Sequence, residues 1–312
     1  MKRSIRLLAL CLCLVFCLPL ASCAAKNQKV VGSCMGQDIL YEEFRLETLR
    51  YREDHPDATE EEIREAVTSA IVRRYAVLLL AQEYLPDADI NSEAFQTIVD
   101  AEEKRAIEQF GSKSKYKRGI KEEYANPHLM RRLLALTQLE VDVKTAIFKG
   151  TELESSASLL LWLEDGNFVR ARRIRFAFTE ENKEAMKQEA LTFYQRFVSG
   201  EKTSDLLSVF KNASAQQSSY YFKGLGEGEL QDAVLALTAV QVNQGRVVEI
   251  NGAWEILIRL DNERDSFINY QLSTVLEKYR SIRFEELLSR AIAQTSIDWN
   301  EYGLSLILGK IK

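Results

Sequence analysis

The stretch Phe168-Val-Arg-Ala-Arg-Arg-Ile-Arg-Phe-Ala-Phe178 decides the fold of the central part of the chain. Its large apolar side chains, Ile174, Phe176 and Phe178, stand at every second position, with arginine or alanine between them. This period of two is typical of a β-strand that has one buried face. The sequence therefore predicts a strand here, with one apolar and one cationic face.

The residues after this strand predict helices and one further strand. An amphipathic helix is expected from near Thr179 to the Ser199-Gly200 pair, with two acidic residues in its first turn. Its apolar stripe consists of Met186, Ala190, Phe193 and Phe197. A short helical piece near residues 205–210, a brief helix around Leu230 and a closing strand over residues 254–260 complete the pattern.

Two short motifs in these strands carry a family resemblance. The first strand contains Arg172-Arg173-Ile174, and the last contains Ala253-Trp254-Glu255-Ile256-Leu257. In motif and element order, residues 168–261 resemble a parvulin-type peptidyl-prolyl isomerase domain, which opens with Arg-His-Ile and closes with Gly-Tyr-His-Ile-Ile. Arg173 and Glu255 therefore stand where that family has its two histidines.

The resemblance implies which residues line the proline pocket of such a module. Arg173, Glu255, Leu230 and Phe222 fall at or near pocket positions. In the family the paired histidines belong to the hydrogen-bonded network of that pocket. Their replacement implies a module without isomerase activity, and the alternative is an active isomerase with an atypical site.

Two interpretations of Arg173 are open at this point. If Arg173 and Glu255 lie on neighbouring strands, an ion pair could replace the two histidines and keep the hydrogen bonding of the site satisfied. Alternatively, Arg172, Arg173 and Arg175 form a solvated basic face without a specific partner. The distance between the guanidinium and the carboxylate decides between them.

The first 22 residues have the pattern of a bacterial lipoprotein signal peptide. Basic residues precede an unbroken apolar run over residues 7–20, which is too short for a comfortable membrane span. The run ends in Leu20-Ala21-Ser22-Cys23, which matches the lipobox. We therefore expect lipidation of Cys23 and attachment to the extracytoplasmic face of the bacterial cell membrane.

Charge and cysteine content exclude several classes of protein. The chain has a formal net charge of −5, and removal of Lys2, Arg3 and Arg6 with the signal leaves 38 basic against 46 acidic residues, or −8. Such a balance does not indicate nucleic-acid binding. Once Cys23 is lipidated, Cys34 has no partner for an intramolecular disulfide. We interpret Cys34 as a small buried apolar residue, with a redox role as the alternative.

The segment that follows the signal carries a second resemblance. Residues 30–44 read Val-Val-Gly-Ser-Cys-Met-Gly-Gln-Asp-Ile-Leu-Tyr-Glu-Glu-Phe, with a turn expected at Gly36. This resembles the opening of the chaperone domain in the PrsA and SurA family of extracytoplasmic foldases. Met35 stands where that family usually has asparagine.

In the next hundred residues, the apolar periodicity and the capping residues predict a series of helices. Thr59 and Glu62 have the spacing of a capping box, and the helix they begin is expected to end before Pro86. Asn91 is predicted to cap another helix that Gly111 terminates. A short helix follows, and then a long one from the Asn126-Pro127 pair to residue 150.

The C-terminal part returns to a helical pattern. Residues 263–293 predict helix, and residues 297–302 predict a last extended segment. By the family resemblance we expect this part to complete the first domain, with Phe267, Leu276 and Tyr279 in its core. Residues 151–167 are the predicted linker, and the apolar run over residues 159–163 is predicted to dock on the first domain.

Several kinds of chemistry are not expected from this sequence. The two histidines, His55 and His128, lie outside the central module, so a histidine-based acid–base or metal site is not predicted. The glycines of Gly224-Leu-Gly-Glu-Gly228 lack the lysine and serine or threonine of a phosphate loop, and we interpret them as a turn. No cofactor, metal or nucleotide is expected.

Together these patterns predict an α+β protein, and the two resemblances imply a mostly helical SurA-like chaperone domain with an inserted parvulin-like (FKBP-like) α+β module. The expected order is a signal peptide (1–22), a lipidated tether (23–29), the chaperone domain (30–167), the parvulin-like domain (168–261) and a C-terminal part completing the chaperone domain (262–312). The resemblance implies a foldase that holds unfolded or secreted polypeptides, with a homodimer left open. An envelope adaptor is a further alternative.

Overall fold

The computed structural model describes residues 29–122 and 125–307. The expected signal peptide and Cys23 lie outside these residues. The fold is α+β, as predicted. The chain divides into two compact units: the first combines the chain up to Ala146 with the chain from Glu285 onward, and the second is formed by Ile147–Phe284.

The first unit contains a small antiparallel sheet built from both ends of the chain. Its strands are β1 (Val30–Cys34), β2 (Gln37–Leu40) and β8 (Asp298–Trp299), in the order β2-β1-β8. Gly32 lies opposite Trp299. A helix near the C-terminus packs closely on β1, because a Cβ atom at Gly303 would overlap the Val31 carbonyl oxygen.

Helices make up the rest of the first unit. Up to the boundary these are α1 (Tyr41–Asp54), α2 (Glu60–Tyr84), α3 (Glu93–Gln109), α4 (Lys113–Glu122) and α5 (Pro127–Phe148), whose last two residues belong to the second unit. The C-terminal elements are α11 (Leu272–Gln294), which also crosses the boundary, and α12 (Glu301–Ile307).

The helix caps of the first unit follow the sequence with one exception. Thr59 and Glu62 form the predicted capping box, and α2 ends before Pro86. The prediction that Asn91 caps α3 was wrong. The Ser92 hydroxyl accepts the Phe95 N–H at 3.2 Å instead, because Ser92 has the extended backbone of an N-cap residue.

Cys34 lies at the end of β1 and is buried, as the apolar interpretation requires. Burial, together with the nearby carboxylates of Asp298 and Glu43, raises the pKa of its thiol to about 11. A thiolate is the nucleophile in redox chemistry, and this thiol stays protonated at neutral pH. Its environment therefore does not favour a redox role.

The second unit is organised around a five-stranded antiparallel sheet. Its strands are β3 (Phe168–Ala177), β4 (Ala213–Ala215), β5 (Ser219–Phe222), β6 (Gly245–Ile250) and β7 (Ala253–Leu260). The order is β4-β3-β7-β6, and β5 also pairs with β3. The two predicted strands correspond to β3 and β7, whereas β4, β5 and β6 were not predicted.

Helices cover both faces of this sheet. The first face packs on α7 (Lys183–Val198) and α8 (Thr203–Val209), and the second on α9 (Glu229–Leu235) and the 3-10 turn Ala236–Ala239. The first core contains Ile174, Phe176, Met186, Ala190, Phe193, Leu206, Trp254, Ile256 and Ile258. The second contains Val169, Ala171, Val234, Leu237 and Leu257.

The start of α7 differs from the expectation. The sequence placed it near Thr179, but the helix begins at Lys183. Residues 179–182 form a turn instead, in which the Thr179 N–H donates to the Asn182 Oδ1 at 2.7 Å. The asparagine side chain competes with helical hydrogen bonding at this point.

The second unit also includes helices on either side of the sheet-forming segment. These are α6 (Ser156–Trp162) with a wide turn over Leu163–Asn167, then α10 (Arg264–Tyr270) and the first half of α11. The apolar run over residues 159–163, predicted to dock on the first domain, is thus part of the second unit.

The placement of Phe267 was wrong in the sequence analysis. It was assigned to the core of the helical domain, but in α10 it packs against Phe168, Tyr220 and Phe222 of the second unit. Tyr279 likewise donates its hydroxyl to the Lys223 carbonyl, 2.5 Å away and in the same unit. Aromatic partners on β3 and β5 decide this placement, and apolar periodicity cannot specify them.

Candidate functional site

Arg173 and Glu255 lie on adjacent central strands of the second unit. Glu255 on β7 is directly opposite Arg175 on β3, and Arg173 is opposite Leu257. Arg173 is therefore a diagonal neighbour of Glu255. Since side chains two residues apart on a strand share a face, all three polar side chains project on the α9 side of the sheet.

The two side chains form a largely buried ion pair. Arg173 Nη2 lies 2.9 Å from Glu255 Oε1, whereas Arg175 Nη1 is 3.9 Å from the same oxygen. The Glu255 side chain is 1% exposed and that of Arg173 is 20% exposed. The predicted ion pair is therefore present, but it does not satisfy all the hydrogen bonding of the two side chains, and Arg175 is the more solvated of the two arginines.

The charge state of Arg173 follows from these contacts. Burial acts to lower the pKa of its guanidinium, but the hydrogen bond and charge of Glu255 outweigh burial, so the pKa lies above its ordinary value. The hydroxyl of Tyr221 also favours the charged form. Arg173 is consequently a fixed cation and does not exchange protons near neutral pH.

Hydrogen bonding in this pair is incomplete. Arg173 Nε and Glu255 Oε2 are both buried and have no partner among the described residues. A buried acceptor without a donor is unfavourable, so this carboxylate depends strongly on its one close arginine. The arrangement can hold two strands together and offers one free buried acceptor.

The other two predicted pocket residues are on opposite sides of the sheet. Leu230, in α9, packs against the core that contains Leu257, on the side of Arg173 and Glu255. Phe222 pairs with Phe168 and stacks on it with ring centroids 6.1 Å apart, which places it on the other face. Tyr221 takes the place near Arg173 that Phe222 was assigned. A one-residue difference in β5 register reverses the face, and the sequence did not reveal β5.

Groups that could bind a metal ion are not brought together in the described part of the chain. Within residues 29–122 and 125–307, no three histidine, cysteine, aspartate or glutamate side chains form a metal-binding group. His55 stacks on Tyr51 at the end of α1. Gly224, Gly226 and Gly228 all have positive φ angles and form a turn between β5 and α9, as predicted.

A cavity of about 560 Å³ lies elsewhere in the second unit. Phe168, Val242, Arg259, Asp261 and Arg264 are among its lining residues, and neither Arg173 nor Glu255 borders it. The Arg259 guanidinium is committed to backbone, since its Nη1 donates to the carbonyls of residues 238 and 240. The cavity is therefore separate from the ion pair.

No helix in the described residues is both long and apolar enough to cross a membrane. Comparison with known proteins gave no matching family model and no matching curated protein. The matches are to solved structures, all at low sequence identity.

Three of these structures illustrate the likeness. The peptidylprolyl isomerase PrsA from Bacillus cereus is 14% identical, with 91% of this chain and 99% of that chain covered and a TM-score of 0.40. PrsA from Streptococcus pneumoniae is 14% identical, with coverages of 90% and 99% and a TM-score of 0.30. A SurA-like chaperone from Campylobacter jejuni is 9% identical, with coverages of 87% and 99% and a TM-score of 0.34. These solved structures are PrsA proteins and a SurA-like chaperone, of the family that residues 30–44 resemble.

Proposed function

We propose that the chain is a lipid-anchored extracytoplasmic chaperone whose parvulin-like module does not isomerise proline bonds. The buried Arg173–Glu255 ion pair is the observation that supports an inactive parvulin-like module. It occupies the positions where the resemblance places the two histidines of the proline pocket.

Rotation about a peptide bond has a barrier of about 18–20 kcal/mol, and an enzyme lowers it by binding the twisted imide better than the planar one. Desolvating a substrate next to Glu255 would leave its unpartnered carboxylate oxygen facing an imide that has no N–H to donate. The unpartnered oxygen of Glu255 therefore disfavours binding of a prolyl imide beside the pair.

Client binding in this proposal relies on weak apolar contacts. Phe95 and Tyr116 are buried in the core of the first unit and are therefore not the residues that contact clients. Ile98, Phe110 and Val141 are exposed in the same unit and are available for contact with unfolded chains. In the second unit the most exposed apolar side chains are Leu161 and Tyr270.

Two assays on the same preparation test the proposal. We expect no acceleration of the cis–trans relaxation of a proline peptide, which takes tens to hundreds of seconds at 25 °C without a catalyst. We expect the protein to suppress the aggregation of an unfolded client when the two are present at nearly equal concentrations. Catalysis that is lost in Arg173→Ala and Glu255→Ala would establish an isomerase with an atypical site. Failure to suppress aggregation would favour the adaptor.

Lipid attachment at Cys23 is tested separately in cells. We expect radiolabelled palmitate to be incorporated into the wild-type chain and not into Cys23→Ser, because thioether lipidation requires the thiol. Cys34→Ser is the matched control and should be labelled like the wild type, since Cys34 is buried in β1. Equal labelling of the Cys23→Ser variant would disprove the anchor.

A further inference from the structure

The first unit contains a cavity of about 700 Å³ between its small sheet and α5. Leu40, Ile90 and Ala135 give it apolar walls. Arg131, Arg132 and His128, from the first two turns of α5, contribute polar groups. A volume of this size lies within the roughly 300–1,000 Å³ of pockets that bind small ligands.

Arg132 differs from the other arginines around it in having no acidic partner. Arg74 is paired with Glu43 at 2.5 Å, and Arg131 with Asp100 at 2.5 Å. Arg132 forms no ion pair within the described residues, and its Nη2 is buried without a hydrogen-bond acceptor there. An arginine that lines a cavity without an ion pair points to an anionic ligand there.

The guanidinium of Arg132 is also held in place. Its Cζ lies 5.5 Å from the centroid of the Tyr75 ring, which is fully buried. Tyr75 is itself fixed, because its hydroxyl donates to Glu43 Oε2 at 3.0 Å. A donor oriented before binding loses little conformational entropy when a ligand arrives.

The chemistry of the lining selects the ligand. A guanidinium donates charge-assisted hydrogen bonds to a carboxylate. Asp38 lines the same cavity and disfavours a doubly charged group such as phosphate. The walls formed by Leu40, Ile90 and Ala135 suit an apolar side chain next to the carboxylate.

We propose that this cavity binds a carboxylate of a polypeptide, with Arg132 as its hydrogen-bond donor. The natural ligand, a client chain, rests on the function proposed above. A C-terminal carboxylate and the side chain of a glutamate share this chemistry, and the experiment distinguishes them.

The test uses the full chain, purified in detergent, and three fluorescein-labelled peptides read by fluorescence anisotropy. The first ends in leucine with a free carboxylate, the second is the same peptide with a C-terminal amide, and the third is an amide with glutamate in the last position. We expect the free acid to bind about 10- to 100-fold more tightly than the leucine amide, as a charge-assisted hydrogen bond predicts. Tight binding of the glutamate amide would identify a side-chain carboxylate as an equally good ligand.

Variants of Arg132 test whether the preference for the free acid arises in this cavity. Arg132→Gln should reduce the affinity for the free acid to that for the amide, while Arg132→Lys, which keeps the charge, should retain part of the preference. Arg105→Gln is the control, because Arg105 is exposed and does not line the cavity. Circular dichroism checks that each variant is folded.

The inference is overturned if acid and amide bind alike, or if Arg132→Gln keeps the preference for the acid. These results are independent of the aggregation assay. Suppression of aggregation without a carboxylate preference would refute the site and leave the chaperone proposal standing. A preference that depends on Arg132 in a chain that suppresses nothing would keep the site and reject the chaperone role.

Discussion

Replacement of Arg173 by methionine is expected to lower the free energy of unfolding by about 3–5 kcal/mol, the usual cost of breaking a buried ion pair from one side. The reason is that the variant leaves the buried carboxylate of Glu255 without its ion-pair partner. Glu255 is almost completely buried, its Oε2 already lacks a donor, and the next cation, Arg175, is 3.9 Å from Oε1. Methionine keeps most of the aliphatic volume of arginine, so the change removes charge more than packing.

A double variant shows whether the loss of stability comes from the unpaired charge of Glu255. In Arg173→Met with Glu255→Leu, both charges are gone, and we expect the loss to be largely recovered, since apolar replacements of buried ion pairs are often neutral or stabilising. Arg175→Met is the matched control on the same strand and face, and it should cost less than about 1 kcal/mol because Arg175 is 38% exposed. Urea unfolding measures all four chains. Equal losses in the Arg173 and Arg175 variants would contradict the assignment.

The predictable part of this fold came from local signals. The alternation of Ile174 and Phe176 with arginines predicted β3, and the capping box at Thr59 predicted the start of α2. Such signals depend on residues a few positions apart, so one sequence contains them completely.

The strands that the sequence did not reveal depend on distant partners. β4 has three residues, Ala213–Ala215, and shows no apolar alternation. β6 begins at Gly245, where a Cβ atom would overlap the Leu257 carbonyl oxygen on β7. That close approach explains the glycine only once the neighbouring strand is known.

The ion pair was predicted through the family resemblance and not through spacing. Eighty-two positions separate Arg173 from Glu255, and pattern alone does not specify their diagonal register. Tyr221 was missed for the related reason that the face of β5 depends on its pairing with β3.

The Arg132 cavity had no sequence signal either. Two adjacent arginines near the start of an amphipathic helix are typical of a solvated face. The structure distinguishes them, since acidic residues of α3 neutralise Arg131 and leave Arg132 unpaired among the described residues.

Phe267→Ala is expected to destabilise the second unit by about 3–5 kcal/mol, the usual cost of emptying a buried phenylalanine site. Phe267 is fully buried, and its ring centroid lies 5.1 Å from that of Phe168 and 5.2 Å from that of Tyr220. Tyr270→Ala is the control in the same helix. Its side chain is 80% exposed, and its loss should change stability by less than about 0.5 kcal/mol.

Hydrogen exchange shows which core the ring supports, because local opening is read at individual amides. If Phe267 belongs with β3 and β5, Phe267→Ala should speed exchange in residues 168–177 and 219–222 and leave α2 of the first unit unchanged. Faster exchange in α2 with unchanged β3 would instead support the interpretation from periodicity, in which this residue completes the helical core. The two outcomes differ in which amides exchange faster, those of β3 and β5 or those of α2. A measurement of global stability alone therefore does not decide between them.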